Sequence, residues 1–212
     1  MGNPYAKIEL SFKTQIVSTI PLYFAYSQLM FWDIFIPSPY FEELNYNPLV
    51  FYRYSIHSDQ DQWVDLIPIE HESNGRGGAD ERSWNRIGAA YHNSMRLGER
   101  ARLFFDLKAW VPLGYQANNS DIPVYRGVWE AQIAASSFIG QFFEFDDLTF
   151  RFYPGGARFI NPLHGGQELT FRTKTVHRTF LPLFVAQIFH GYGESLIDAQ
   201  DDRWGFRAGL GF

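Results

Sequence analysis

The stretch from Ile67 to Arg86, IPIEHESNGRGGADERSWNR, carries residue types from which hydrolytic chemistry can be built. His71 and Ser73 are two residues apart, so in a β-strand their side chains leave the same face. Ile67 and Ile69 share that parity, and the expectation is that all four point outward together. After a Gly-rich turn, Asn85 falls in phase with Ile87, Ala89 and Tyr91 on a returning strand. A hydroxyl nucleophile, an imidazole base and an amide to orient the base would then lie side by side. If that face meets lipid, it is where cleavage of a lipid ester would need them.

Such a constellation needs strands to hold it, and most of the chain reads as strands. Ala6, Ile8, Leu10 and Phe12 interleave with Lys7, Glu9, Ser11 and Lys13. Leu103, Phe105, Leu107 and Ala109 interleave with Arg102, Phe104, Asp106 and Lys108. Trp204, Phe206, Ala208 and Leu210 interleave with Arg203, Gly205, Arg207 and Gly209. A soluble sandwich shows the same period. Two features favour a membrane barrel. Charges recur in mid-strand, at Lys108, Arg151 and Arg172, as a polar barrel interior requires. Aromatics crowd the strand ends, at Tyr23, Tyr26, Phe31, Trp32, Tyr91, Trp110, Tyr125 and Trp129, like interfacial girdles, and the sequence ends on Phe212 after an alternating strand.

The predicted strands are 5–16, 20–34, 48–57, 62–73, 83–95, 100–113, 122–136, 145–153, 167–176, 180–191 and 203–212. Short turns near 18, 59, 98, 140 and 178 fall on one side; longer connections near 35–47, 74–82, 114–121, 154–166 and 192–202 fall on the other, the outside by the usual asymmetry. The expected fold is all-β: a single antiparallel transmembrane β-barrel over residues 1–212. About eleven strands are visible, whereas bacterial single-chain barrels take an even number. The simplest repair is one further ascending strand before Pro4.

Composition narrows the classes. Aromatics make up 18% of the 212 residues and charged residues 19%, below the roughly 25% of soluble domains. A net charge of −5 without a Lys/Arg block argues against nucleic acid. The absence of cysteine excludes a disulfide framework and a thiolate metal site. Met1-Gly2-Asn3-Pro4-Tyr5 lacks the basic start and apolar run of a signal peptide, so an envelope leader would lie outside this sequence. The window from Ile16 to Pro37 is broken by Pro21, Gln28 and Asp33 and does not read as a membrane helix.

HESNG, then RSWNR, then GYGESLID at 191–198, with NYNP at 45–48 and the final aromatic strand, together resemble outer membrane phospholipase A of Gram-negative bacteria. The likeness runs from about residue 5 onward, and its specific part is the pairing of HxSNG with RSWN. It implies a twelve-stranded barrel in the outer membrane, with its active site on the lipid-facing surface near the external leaflet. It also implies calcium-dependent hydrolysis of phospholipid at the sn-1 and sn-2 positions, cleavage of lysophospholipid, and activation by homodimerisation.

Carried onto this sequence, the resemblance makes Ser73 the nucleophile, His71 the general base and Asn85 its orienting partner. A neutral Asn avoids placing a carboxylate near hydrocarbon. The backbone N–H of Gly75 matches the oxyanion donor. The calcium ligands would be the carbonyl of Arg76, the side chain at Glu81, and Ser38 from the partner subunit. Here the sequence departs from the family, which carries a serine hydroxyl where Glu81 stands.

Other residues receive ordinary readings. Glu70 and Glu72 have inward parity and should pair or hydrate inside the barrel; Trp84 with Arg82 or Arg86 should brace the hairpin from within. His57, His92, His164, His177 and His190 lie singly and suit structural or solvated roles. The GESL serine, Ser195, has no base nearby in sequence, and Asp198, Asp201 and Asp202 read as a solvated loop. Three rival functions are distinguishable. Conductance without esterase activity would mark a structural or pore-forming barrel, product analysis on lipid A a lipid A deacylase, and release from membranes without detergent a soluble β-sandwich.

Overall fold

The structure is a computed structural model and describes residues 5–56, 61–115, 119–138, 145–174 and 182–211. These residues form one sheet of eleven strands, paired in chain order. The strands are β1 (Ala6–Val17), β2 (Leu22–Asp33), β3 (Tyr40–Ser55), β4 (Gln62–Ser73), β5 (Ser83–Leu97), β6 (Ala101–Leu113), β7 (Trp129–Ser136), β8 (Phe145–Gly155), β9 (Asn161–Lys174), β10 (Leu183–Gly191) and β11 (Arg203–Gly211). A short helix, α1 (Ile122–Arg126), precedes β7. Every neighbouring pair is antiparallel, so the connections after even-numbered strands share one end of the sheet. The hairpin turn between β4 and β5 is at that end.

The alternation sorts side chains in the sense opposite to a soluble protein. Leu10, Phe12, Ile87, Val111, Ile133, Phe150, Trp204, Phe206 and Leu210 are exposed, whereas Glu70, Glu72, Arg86, Asp146 and Thr170 are buried. The buried charges are tolerable because they are paired. Lys108 meets Glu70 at 2.8 Å, Arg151 meets Glu130 at 2.9 Å, and Arg172 meets Asp147 at 3.0 Å. An apolar outside around a paired polar inside is the arrangement a hydrocarbon surround requires.

The sheet curls on itself. Lys7 on β1 donates to Glu168 on β9 at 2.9 Å and to Gln187 on β10 at 3.0 Å, and Arg207 on β11 donates to the Tyr5 hydroxyl at 2.7 Å. First and last strands therefore approach across the interior, although β1 and β11 do not pair.

Several expected boundaries shift for identifiable reasons. β3 begins at Tyr40, not 48, because Glu43 and Asn45 are polar residues that point inward and mimic a loop in sequence. The expected strand at 122–136 begins instead as α1, with Pro123 in its first turn and Gly127 at φ +63° ending it. β9 reaches back to Asn161, shortening the connection expected over 154–166. Turns at 18 and 98 are present; those expected near 59, 140 and 178 lie outside the described residues.

Candidate active site

His71 and Asn85 are direct cross-strand partners on β4 and β5, and Ser73 stands opposite Ser83. The inward pairs Glu70–Arg86 and Glu72–Trp84 flank them along the same ladder. Nδ1 of His71 faces Oδ1 of Asn85 at 2.8 Å on the outer surface. An amide oxygen only accepts, so Nδ1 carries the proton and Nε2 keeps its lone pair. Ser73 emerges two residues further along the same face, half-buried. The arrangement can do base-assisted hydroxyl chemistry at the outer wall.

One expectation is overturned. Ile67 does not share the outward face: it is 5% exposed and packs with Phe51 and Ala90 inside, while Ile69 is 57% exposed. A β-bulge intervenes. From Ile67 to Glu70 on β4 the partner register advances only from Gly88 to Arg86, and the pairing with β3 shifts over the same stretch. Pro68 sits in the bulge, where its missing N–H costs the ladder least. Leu66, Pro68, Ile87 and Val111 line an open apolar groove on the outer face, next along the strands from His71 and Asn85.

Behind the site the inner side chains interlock. Arg86 donates to Glu70 at 2.7 Å and lies 2.9 Å from Glu72. Trp84 donates its indole N–H to Glu72 at 3.0 Å. Glu70 and Glu72 are therefore paired inside, as their parity suggested. Trp84 and Arg86 brace the hairpin from within, while Arg82 pairs outside the strand with Asp121 at 3.0 Å. A one-residue slip would turn every one of these charges into the opposite face, so the inner ladder fixes the outer one.

The turn after Ser73 is organised by Asn74. Its side-chain oxygen accepts from the backbone N–H groups of Arg76 at 3.2 Å and Arg82 at 3.0 Å, and its amide donates to the carbonyl of Asp80 at 2.8 Å. Gly75 has φ +65°, and a Cβ there would stand 2.9 Å from the Tyr46 ring, so glycine is required twice over. Tyr46 lies opposite Ser73 on β3. Asn47 donates to the carbonyl of His71 at 2.7 Å. Asn74-Gly75 reads as turn chemistry in the sequence, and the structure agrees; Tyr46 and Asn47 carry no sequence signal beyond the NYNP motif.

Arg76 is exposed, and its guanidinium donates to the carbonyl of Glu42, tying this turn to the start of β3. Glu81 closes the short 3-10 turn Gly78–Asp80 and is partly exposed. Ser38 is exposed on the 34–39 connection before β3. Among the described residues no cluster of three or more His, Asp or Glu side chains is assembled to hold a metal. His92 lies between Asp106 and Asp65, 3.3 Å from the latter; His164 meets Tyr192 in a tilted ring contact at 4.5 Å. His57 and His177 lie outside the described residues. Asp198, Asp201 and Asp202 lie in the connection before β11, the last two exposed as a solvated loop would have them, and Asp198 and Asp201 each meet Arg203 at 3.1 Å.

The chain is similar to several known proteins. The sequence profile of the phospholipase A1 family matches residues 3–212. Phospholipase A1 of Proteus vulgaris is 28% identical over 183 residues, 82% of this chain and 56% of its own length. The chain thus spans about half the length of the curated relatives it matches. Outer membrane phospholipase A of Escherichia coli superposes with a TM-score of 0.76 at 25% identity, covering 98% of this chain and 77% of that one. The calcium-bound dimer of the Salmonella typhi outer membrane phospholipase superposes with a TM-score of 0.77 at 24% identity, covering 97% and 78%.

Proposed function

The chain belongs to the phospholipase A1 family, and from that premise we propose that it is an integral outer-membrane phospholipase using Ser73, His71 and Asn85. Its substrates are the sn-1 and sn-2 acyl esters of glycerophospholipids and lysophospholipids. The observation that carries this reading is the 2.8 Å contact between His71 Nδ1 and Asn85 Oδ1 on an outward, lipid-facing wall beside Ser73. The groove of Leu66, Pro68, Ile87 and Val111 supports it, since an acyl chain could lie there with its ester near the triad.

The chemistry follows from the donors and acceptors. Asn85 accepts from His71 Nδ1–H and holds Nε2 available as a base. Nε2 takes the Ser73 proton as Oγ attacks the ester carbonyl, and the tetrahedral oxyanion accepts from the Gly75 N–H. Such a donor is typically worth about 3 kcal/mol in the transition state. His71 then returns the proton to the leaving alcohol oxygen of the lysophospholipid. Water next attacks the acyl-Ser73 ester, its proton passing to His71, which hands it to Ser73 Oγ as the acyl–oxygen bond breaks and the fatty acid leaves.

The Arg76 carbonyl, the Glu81 carboxylate and the partner's Ser38 are all oxygen donors, the kind a hard cation takes. They fit calcium in chemistry, and three donors fall short of its usual 6–8, leaving room for water. Bound beside Gly75, calcium would add positive charge near the oxyanion. Because Ser38 would come from a second copy, the active form is a homodimer with its site toward the external leaflet. The whole is one domain, and the unpaired edges of β1 and β11, which run in the same direction, would take one further strand antiparallel to both.

A fluorophosphonate probe tests the assignment. It is expected to modify Ser73 in detergent-folded protein, mapped by peptide mass, and to label His71→Ala far more slowly. Labelling elsewhere, or equally fast labelling without His71, would contradict it.

A further inference from the structure

The 192–202 connection, which carries the GESL motif, folds into the interior directly behind the candidate active site. Leu196 is fully buried in one apolar cluster with Trp84, Trp110 and Ile122. Trp84 is 1% exposed and sits in β5 immediately before Asn85. A second, polar route joins the same partners. Arg126 of α1 donates to the carbonyl of Gly193 at 2.7 Å and to Glu72 at 3.3 Å, and Glu72 lies between His71 and Ser73 on β4. The connection therefore reaches β5 through the Leu196 cluster and β4 through Arg126.

Its anchor is on β3. Glu43 is 2% exposed, accepts from the backbone N–H groups of Leu196 and Ile197 at 2.9 Å each, and accepts from the Ser195 hydroxyl. Asp198 N–H in turn donates to Ser195 Oγ at 3.2 Å. These bonds satisfy a carboxylate whose burial would otherwise be costly, and they fix Leu196 at one depth. They also give Ser195 an occupation: it is a donor to Glu43, not a second nucleophile.

We propose that the 192–202 connection, held by Glu43 and pressing Leu196 on Trp84, is a positioning element for catalysis that keeps Asn85 on His71. The inference rests on the triad reading given above. Trp84 and Asn85 are adjacent on one strand and point to opposite faces, so a rotation of the Trp84 backbone that fills a cavity inside swings the Asn85 amide outside. The polar route through Arg126 and Glu72 holds the opposite strand against the same movement. Neither Leu196 nor Glu43 needs to touch substrate.

The test compares native protein with Leu196→Ala, Glu43→Gln and the conservative Leu196→Met, all folded in detergent and assayed on phosphatidylcholine micelles at saturating calcium. Leu196→Ala and Glu43→Gln should lose about 10-fold in kcat, since small misplacements of catalytic groups are expensive. KM should move by less than about 2-fold, because the substrate surface is untouched. Leu196→Met should restore kcat. A purely structural plug would instead lower the thermal midpoint and leave kcat of the folded fraction unchanged, which would overturn the proposal. A second readout does not depend on activity. In 15N-histidine-labelled protein, the Nδ1–H resonance of His71, assigned by its absence in His71→Gln, should shift or broaden in Leu196→Ala; an unmoved resonance overturns the proposal. If the native protein shows that resonance but no Ser73-dependent hydrolysis, the proposed function fails by itself, and the resonance alone decides the positioning role.

Discussion

Asn85 is the residue on which the site's chemistry turns. The imidazole of His71 is partly exposed on an outer wall with one ring nitrogen on an amide oxygen, and the proposed triad gives the other to Ser73. Without that amide the ring can rotate or present the wrong tautomer, while Ser73 and Gly75 remain where they are. Asn85→Ala should therefore reduce kcat by ~10- to 100-fold and leave KM within a small factor, the loss being part of the ~10²–10⁴ that positioned acid–base groups supply. Steady-state kinetics on a single phospholipid in mixed micelles would check this, and unaltered kcat would remove Asn85 from the mechanism. These residues were legible in sequence because parity in a strand is unforgiving: His71 with Ser73, and Asn85 with Ile87, could fall only on shared faces. Ile67 was not legible, because a bulge changes parity without leaving a reliable mark beyond Pro68.

At the scale of elements, the β4–β5 hairpin is a two-sided ladder with a correction built into it. Below the bulge Leu66 faces out and Ile67 in; above it Ile69 faces out and Glu70 in. The extra residue lets a lower half packed on Phe51 and an upper half carrying the proposed catalytic groups each keep its own face. Deleting Pro68 should remove the bulge and preserve both faces, giving a folded protein within about 10-fold of native activity. Inserting one alanine between Glu70 and His71 should turn His71 and Ser73 inward and abolish activity. Gel mobility of folded and heated samples, with assays on both variants, distinguishes these outcomes; an active insertion variant would contradict the register argument. α1 and the early start of β3 escaped the sequence reading for related reasons. Ile122, Val124 and Tyr125 are residue types that strands favour, and the polar Glu43 and Asn45 look like loop until a lumen exists to receive them.

For the whole molecule, the inverted surface is the governing fact: apolar side chains outside, paired charges within, and α1 and the 192–202 connection packed inside at the end that carries the β4–β5 turn. Charges recurring in mid-strand, at Lys108, Arg151 and Arg172, made that sidedness legible in the sequence. The packing of Leu196 on Trp84 was not readable, because it joins residues 112 positions apart that share no local pattern. If Ser38 of a second copy completes a calcium site, specific activity must depend on the protein's concentration within the detergent phase. Raising the protein-to-detergent ratio at fixed calcium should increase activity per molecule until it saturates. Chelator should flatten the dependence. Constant specific activity over a wide dilution range would show that one copy suffices.

The most direct measurement is hydrolysis of a defined phosphatidylcholine in detergent micelles by native protein and by Ser73→Ala, each with calcium and with chelator. The account predicts release of fatty acid and lysophospholipid only from native protein with calcium present. Hydrolysis by Ser73→Ala, or none by folded native protein with calcium, would contradict it.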